Sequence, residues 1–209
     1  MERVDRQIRE YVERHIVPLY SSFDAGHGVE HVETVIRQSL ALASFYDVDC
    51  DMVYLIATFH DAGLGEGREF HHLHSAKRLA ADCFVRSRFS EEQILTMVQA
   101  VEDHRASSKE PPRSIYGRIV AEADRVIETK TIIRRAVQFG LQHLPDASRE
   151  EQYERMRDHV REKYGEGGYI RFWCPESGNA ERMAELRRVI SNEKALRSLF
   201  DEIYDELMP

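Results

Sequence analysis

The stretch Met52-Val-Tyr-Leu-Ile-Ala-Thr-Phe-His60-Asp61 runs from uncharged, mostly apolar residues straight into an imidazole and a carboxylate. Met52, Leu55, Ile56, Phe59 and His60 recur at the three- and four-residue steps of one helix face, so the spacing predicts a core helix that delivers His60 inward. A carboxylate directly after it is costly to bury unless a partner or a cation compensates. Neighbouring helical residues diverge by about 100°. At a helix end both can still bend toward one ion, the imidazole as terminal ligand and the carboxylate free to bridge to a second.

Outward from this pair, His31 lies upstream and shares a helix face with Val35 and Leu42, which points it inward. Downstream, Asp124 follows Val120 by four residues and meets the same buried-charge argument. One inward histidine is an ordinary core residue; His31, His60, Asp61 and Asp124 together make a mixed nitrogen and oxygen ligand set. Such a set suits Mn²⁺ or Fe²⁺ first, with Mg²⁺, Ni²⁺ or Zn²⁺ as alternatives. A site of this kind activates water against phosphate esters. His104 ends an apolar stripe as His60 does, and with His71 it would supply a second metal or contact phosphate. Lys77, Arg78, Arg105 and Arg125 stand near these positions and could hold phosphate oxygens.

Nearly everything else has helical period. A first helix is expected over about 3–17, closed by Pro18, and Asp24 to Gly28 read as a turn. Asp49 and Asp51 can cap the His60 helix. Gly63, Gly65 and Gly67 break the chain into a short flexible loop, and a helix resumes from His71 to about Val85. Ser90-Glu-Glu-Gln93 has capping-box spacing, and Ser114 opens the helix that carries Asp124. Later stripes run through Tyr153–Tyr164 and from Met183 to Leu207, the latter broken near Ser191-Asn192. The reading is an all-α chain of one domain over 1–209, a motif core at about 26–126 with closing helices over 127–209. The loop around 165–178 is expected either to reach the site or to bury against the bundle.

Composition narrows the partners. With 42% hydrophobic residues the chain can fill a core, and a formal charge of −8 argues against nucleic acid and anionic membranes. A small phosphorylated substrate stays compatible, because a bound metal reverses the local field. Cys50, Cys83 and Cys174 lack Cys-x-x-Cys spacing and read as buried thiols of a reducing cytoplasm. The charged N-terminus predicts no signal peptide, and no apolar run approaches membrane-spanning length. A homo-oligomer is left open.

Several local sequences bear a family likeness. His27-Gly-Val-Glu-His31-Val leads one helix and Ala57-Thr-Phe-His-Asp-Ala-Gly63 ends another. His71-His-Leu-His-Ser-Ala76 opens a third, and Ala121-Glu-Ala-Asp-Arg125 closes a fourth. In this order they resemble the HD superfamily of metal-dependent phosphohydrolases. The resemblance implies a helical bundle, a metal on His31, His60, Asp61 and Asp124, and catalysis centred on His60 and Asp61. It further implies a nucleotide or other phosphomonoester, phosphodiester or pyrophosphate as substrate. In two-metal members the additional ligands map onto His71 and His104. Many members carry Lys or Asp just beyond the Gly63 position, where Leu64 stands here; that role is absent or passes to Glu66, Arg68 or Lys77. No Gly-Tyr-Pro occurs, which disfavours the cyclic-dinucleotide branch. The same frame also allows di-iron oxygenase-type chemistry, or a non-catalytic domain that binds a metal or ligand.

Overall fold

A computed structural model describes residues 4–24, 26–106, 108 and 110–208. Among them are eleven α-helices and no strand, so the chain is all-α. They gather into two compact units, Met1–Arg125 and Val126–Pro209. In the first unit α1 is Arg6–His15, α2 Val29–Ala43, α3 Cys50–Phe59, α4 His71–Ala81, α5 Cys83–Arg88, α6 Glu91–Glu102 and α7 Ile115–Ala123. In the second, α8 is Thr129–His143, α9 Arg149–Tyr164, α10 Asn179–Ser191 and α11 Glu193–Leu207.

The centre of the first unit is α3. Asp49 caps it by accepting from Asp51 N–H at 2.8 Å and Met52 N–H at 3.4 Å. Its burial differs from the single stripe expected of it: every residue from Met52 to Phe59 is buried. The reason is that α1, α2, α4, α6 and α7 all pack against it, and a helix surrounded in this way is apolar on every side. Leu55, Ile56 and Phe59 are wholly inaccessible. Burial of each such side chain contributes about 1.5–3 kcal/mol.

Three local expectations are corrected. The helix expected from His71 to Val85 divides at Asp82, whose extended backbone and side-chain bond to Val85 N–H at 3.0 Å start α5 anew. Cys83 is exposed and Cys50 half-buried, leaving Cys174 as the buried cysteine; Cys83 opens α5 directly after its cap. The loop after Asp61 is tied rather than free, since Leu64–Glu66 form a 3₁₀ turn and Glu66 bonds both His74 Nδ1 and Arg78 Nη2 at 2.9 Å. The closing helices expected over 127–209 open with α8, which buries Ile132, Ile133, Ala136, Val137 and Gly140 along one face. The break at Ser191-Asn192 falls where expected, with Asn192 capping α11 through Ala195 N–H.

In the second unit α8, α9, α10 and α11 pack on one another around Ile133, Val137, Met156, Leu186, Leu196 and Phe200. Ile170 and Cys174 of the loop between α9 and α10 are buried.

Gly63 has ordinary backbone angles, φ −91° and ψ 1°, so space and not conformation demands glycine there. A Cβ would lie 2.4 Å from Ser75 N and 2.6 Å from His74 Cβ. The turn after α3 thus presses on α4, and Gly63 N–H donates to the buried Ser75 Oγ at 2.9 Å. Gly63→Ala is expected to lower stability by about 1–3 kcal/mol, because backbone must shift to admit one methyl. Thermal unfolding should fall by roughly 3–10 °C. An unchanged midpoint would contradict this close approach.

Candidate metal centre

His60 and Asp61 sit where α3 ends, and the helix end itself orients them. The last carbonyls of a helix lack intrahelical donors. His60 Nδ1 lies 2.7 Å from the Ala57 carbonyl oxygen. A carbonyl only accepts, so Nδ1 carries a proton, and in the neutral ring Nε2 presents a lone pair inward. The same device recurs past the end of α6, where His104 Nδ1 donates to the Val101 carbonyl at 2.6 Å. His71, the first residue of α4, donates from Nδ1 to the Arg68 carbonyl at 2.7 Å. His31 stands on the first turn of α2, buried at 9% exposure, and Asp124 is the C-cap of α7.

These groups meet in two clusters. In the first, His31 Nε2 lies 3.2 Å from His60 Nε2 and 3.2 Å from Asp124 Oδ1. In the second, His71 Nε2 lies 3.2 Å from His104 Nε2. Asp61 stands between them. Its Oδ2 is 3.3 Å from His60 Nε2, while its Oδ1 is 3.2 Å from His71 Nε2 and 3.4 Å from His104 Nε2. His31, His60 and Asp124 could hold one ion, and Asp61, His71 and His104 another. Asp61 Oδ2 also faces the first cluster, 3.8 Å from His31 Nε2.

The donor set fits divalent metal. Atoms bound at about 2.1 Å to one ion lie about 3.0–3.4 Å apart when they are adjacent in its coordination shell. The separations within each cluster fall largely in that range. The tautomers make the same point: with both Nδ1 protons committed to carbonyls, His71 and His104 aim lone pairs at each other. A cation between them satisfies both. Four imidazoles among the six donors suit a divalent transition metal better than Mg²⁺, which prefers oxygen.

Electrostatics follow from burial. For Asp61 and Asp124, desolvation would raise the carboxyl pKa. Imidazole neighbours win, His60 and His104 around Asp61 and His31 and His60 around Asp124, and hold both far below the usual range. At His60 desolvation opposes the charge, but the Asp61 carboxylate and then Asp124 push it up to about 9. His71 is lowered by burial and by His104. Metal uptake near neutral pH must therefore expel the proton from His60 while both aspartates stay ionised. Apparent Mn²⁺ affinity is expected to climb with pH, by up to about tenfold per unit, and to level off above about 9. Titrations at pH 6 to 9 with a proton-release indicator check this; a flat profile contradicts it.

Of the remaining expected contacts, Lys77 is exposed on α4, about 240° round the helix from His71. Arg125 is buried and turns Nη1 back to the Ala121 carbonyl. In the histidine run only His71 joins the cluster, His74 being spent on Glu66. His27 bonds Asp24 at 2.9 Å and sets its ring edge-on to His31, centroids 5.9 Å apart.

One supporting residue escaped the sequence reading. Tyr20 is wholly buried, and its hydroxyl donates to the Thr58 carbonyl at 2.6 Å while accepting from Asp61 N–H at 3.2 Å. It thereby fixes the backbone of the carboxylate that faces both clusters. It lies in a 3₁₀ segment, Val17–Ser22, with no helical stripe to mark it.

Residues 28–128 match the family model of the HD domain, a span that holds all six clustered residues. No curated protein and no solved structure matches the chain.

Proposed function

The chain carries an HD domain over residues 28–128, and from that premise we propose that it is a metal-dependent phosphohydrolase of small phosphorylated molecules, nucleotides foremost. The observation that carries the reading is Asp61, one carboxylate with an oxygen toward each imidazole pair. Bound divalent ions there would supply Lewis acidity to a phosphate oxygen and bring the pKa of water toward neutrality.

Each residue then has a task. His31 and His60, with Asp124, would hold one position; His71 and His104 would hold the other; Asp61 would serve both and orient the attacking water. The histidines act as neutral donors, three of them locked in tautomer by backbone carbonyls. Two ions against two carboxylates leave a positive centre, which attracts a phosphate dianion despite the chain's net charge of −8. Lys77 and Arg125 remain candidates for phosphate oxygens only after side-chain movement. The cytoplasmic setting belongs to the same proposal, resting on three cysteines without disulfide spacing, and a homo-oligomer stays open; no helix among the described residues is long and apolar enough to cross a membrane.

A turnover screen of nucleotides and simple phosphoesters with Mn²⁺, Mg²⁺, Ni²⁺ or Fe²⁺ tests the reading. Release of phosphate, pyrophosphate or nucleoside supports it; no turnover by fully loaded protein overturns it. Four imidazoles around a shared carboxylate also suit an iron pair and oxygenase-type chemistry. Substrate-dependent oxygen consumption by the iron-loaded protein, without hydrolysis, would favour that second reading.

A further inference from the structure

The two metal positions are built differently. His31, His60 and Asp124 come from α2, α3 and α7, and these three helices pack directly on one another. The second position depends on His71, which follows the loop from Gly63 to Phe70 and opens a helix with no side-chain cap. The front of that loop is tied to α4 through Glu66. Its far end begins at Gly67, where φ is +122°, a conformation that favours glycine. Beyond it Arg68 meets Asp24 at 3.5 Å with both side chains exposed, an ion pair of little strength. The His71 bond to the Arg68 carbonyl lies within the same segment and anchors it to nothing else.

One hydrogen bond does reach across. Arg105 Nη1 donates to the Glu69 carbonyl at 2.9 Å, joining positions 36 residues apart. Among the described residues no other hydrogen bond joins residues 67–70 to the end of α6 except the meeting of His71 with His104 just beyond. Arg105 directly follows His104, so its guanidinium links the backbone beside one imidazole to the backbone beside the other. The bond is exposed to solvent, but its donor is a charged, planar group, and charge-assisted bonds are the stronger ones.

We propose that Arg105 is a positioning residue for the second metal position: by holding the Glu69 carbonyl it keeps His71 at the separation from His104 that one divalent cation can span. The inference rests on the two-metal reading above and adds an order to it, with the His31–His60–Asp124 position filled first and the His71–His104 position set by the Arg105 latch.

Mn²⁺ is the probe, with the full-length chain, in equilibrium dialysis and electron paramagnetic resonance. Wild-type protein is expected to bind two ions and show the spin-coupled signal of a manganese pair. Arg105→Ala should keep the first ion with unchanged affinity and weaken the second by about 10- to 100-fold, the range for losing an outer-shell partner. The coupled signal should disappear at Mn²⁺ concentrations that saturate wild type. Arg105→Lys, whose ammonium can still donate to a carbonyl, should restore most of it. Should alanine reduce helical circular dichroism, Arg105→Met, which keeps the length and has no donor, makes the same comparison. Wild-type affinity for both ions in either neutral variant overturns the proposal. So does equal loss of both positions in a folded variant, or a change confined to substrate KM. A wild-type stoichiometry of one ion instead overturns the two-metal reading beneath it.

Discussion

Asp61→Ala is expected to reduce phosphoester turnover by more than about 100-fold, beyond what loss of an outer-shell partner alone produces. Among the described residues Asp61 is the one carboxylate whose two oxygens together face all four imidazoles, Oδ2 at 3.3 and 3.8 Å from His60 and His31 and Oδ1 at 3.2 and 3.4 Å from His71 and His104. Its removal deletes a donor to each position together with half of the site's negative charge. Bound Mn²⁺ should fall below one ion per chain at concentrations that give wild type two. Asp61→Asn, which keeps shape and loses charge, should show the same loss of metal, separating charge from packing. Helical circular dichroism on the same samples excludes unfolding as the cause. Full activity in folded Asp61→Ala would end the phosphohydrolase assignment.

Metal removal should be the largest single change in stability. The six clustered residues come from α2, the end of α3, the start of α4 and the ends of α6 and α7, so bound ions hold five segments of the first unit together. A ligand that binds only the folded state stabilises it by about 4 kcal/mol at a thousandfold excess over Kd. Chelation should then lower the unfolding midpoint by roughly 8–16 °C, and Mn²⁺ should restore it. Val126–Pro209 contributes none of the six residues, so a separate transition of that unit in calorimetry should not move. An unchanged midpoint after verified stripping would show that the site does not clasp the fold.

What the sequence determines by itself is local and chemical. Asp49, Ser90 and Ser114 announce helix starts because a capping side chain reaches only two or three residues ahead, and each caps as read. The apolar run into His60-Asp61 predicts a core helix that ends in ligand chemistry, and residue types and motif order single out His31, Asp124, His71 and His104. The same locality explains the misses. Asp82 divides a helix that periodicity reads as continuous, and Tyr20 lies in a 3₁₀ segment with no helical stripe to mark it.

The tertiary structure decided the rest. Only the packing of helices around α3 puts His31 Nε2 beside His60 Nε2, 29 residues apart, and His71 beside His104, 33 apart. Only backbone carbonyls at helix ends fix which nitrogen of each ring faces inward. The division of one expected four-residue ligand set into two clusters sharing Asp61 follows from the turn after α3, where Tyr20 holds the Asp61 amide and Gly63 lets α4 approach. A one-dimensional pattern records which side chains face inward along a helix; where two carboxylate oxygens point depends on the three-dimensional meeting of helix ends.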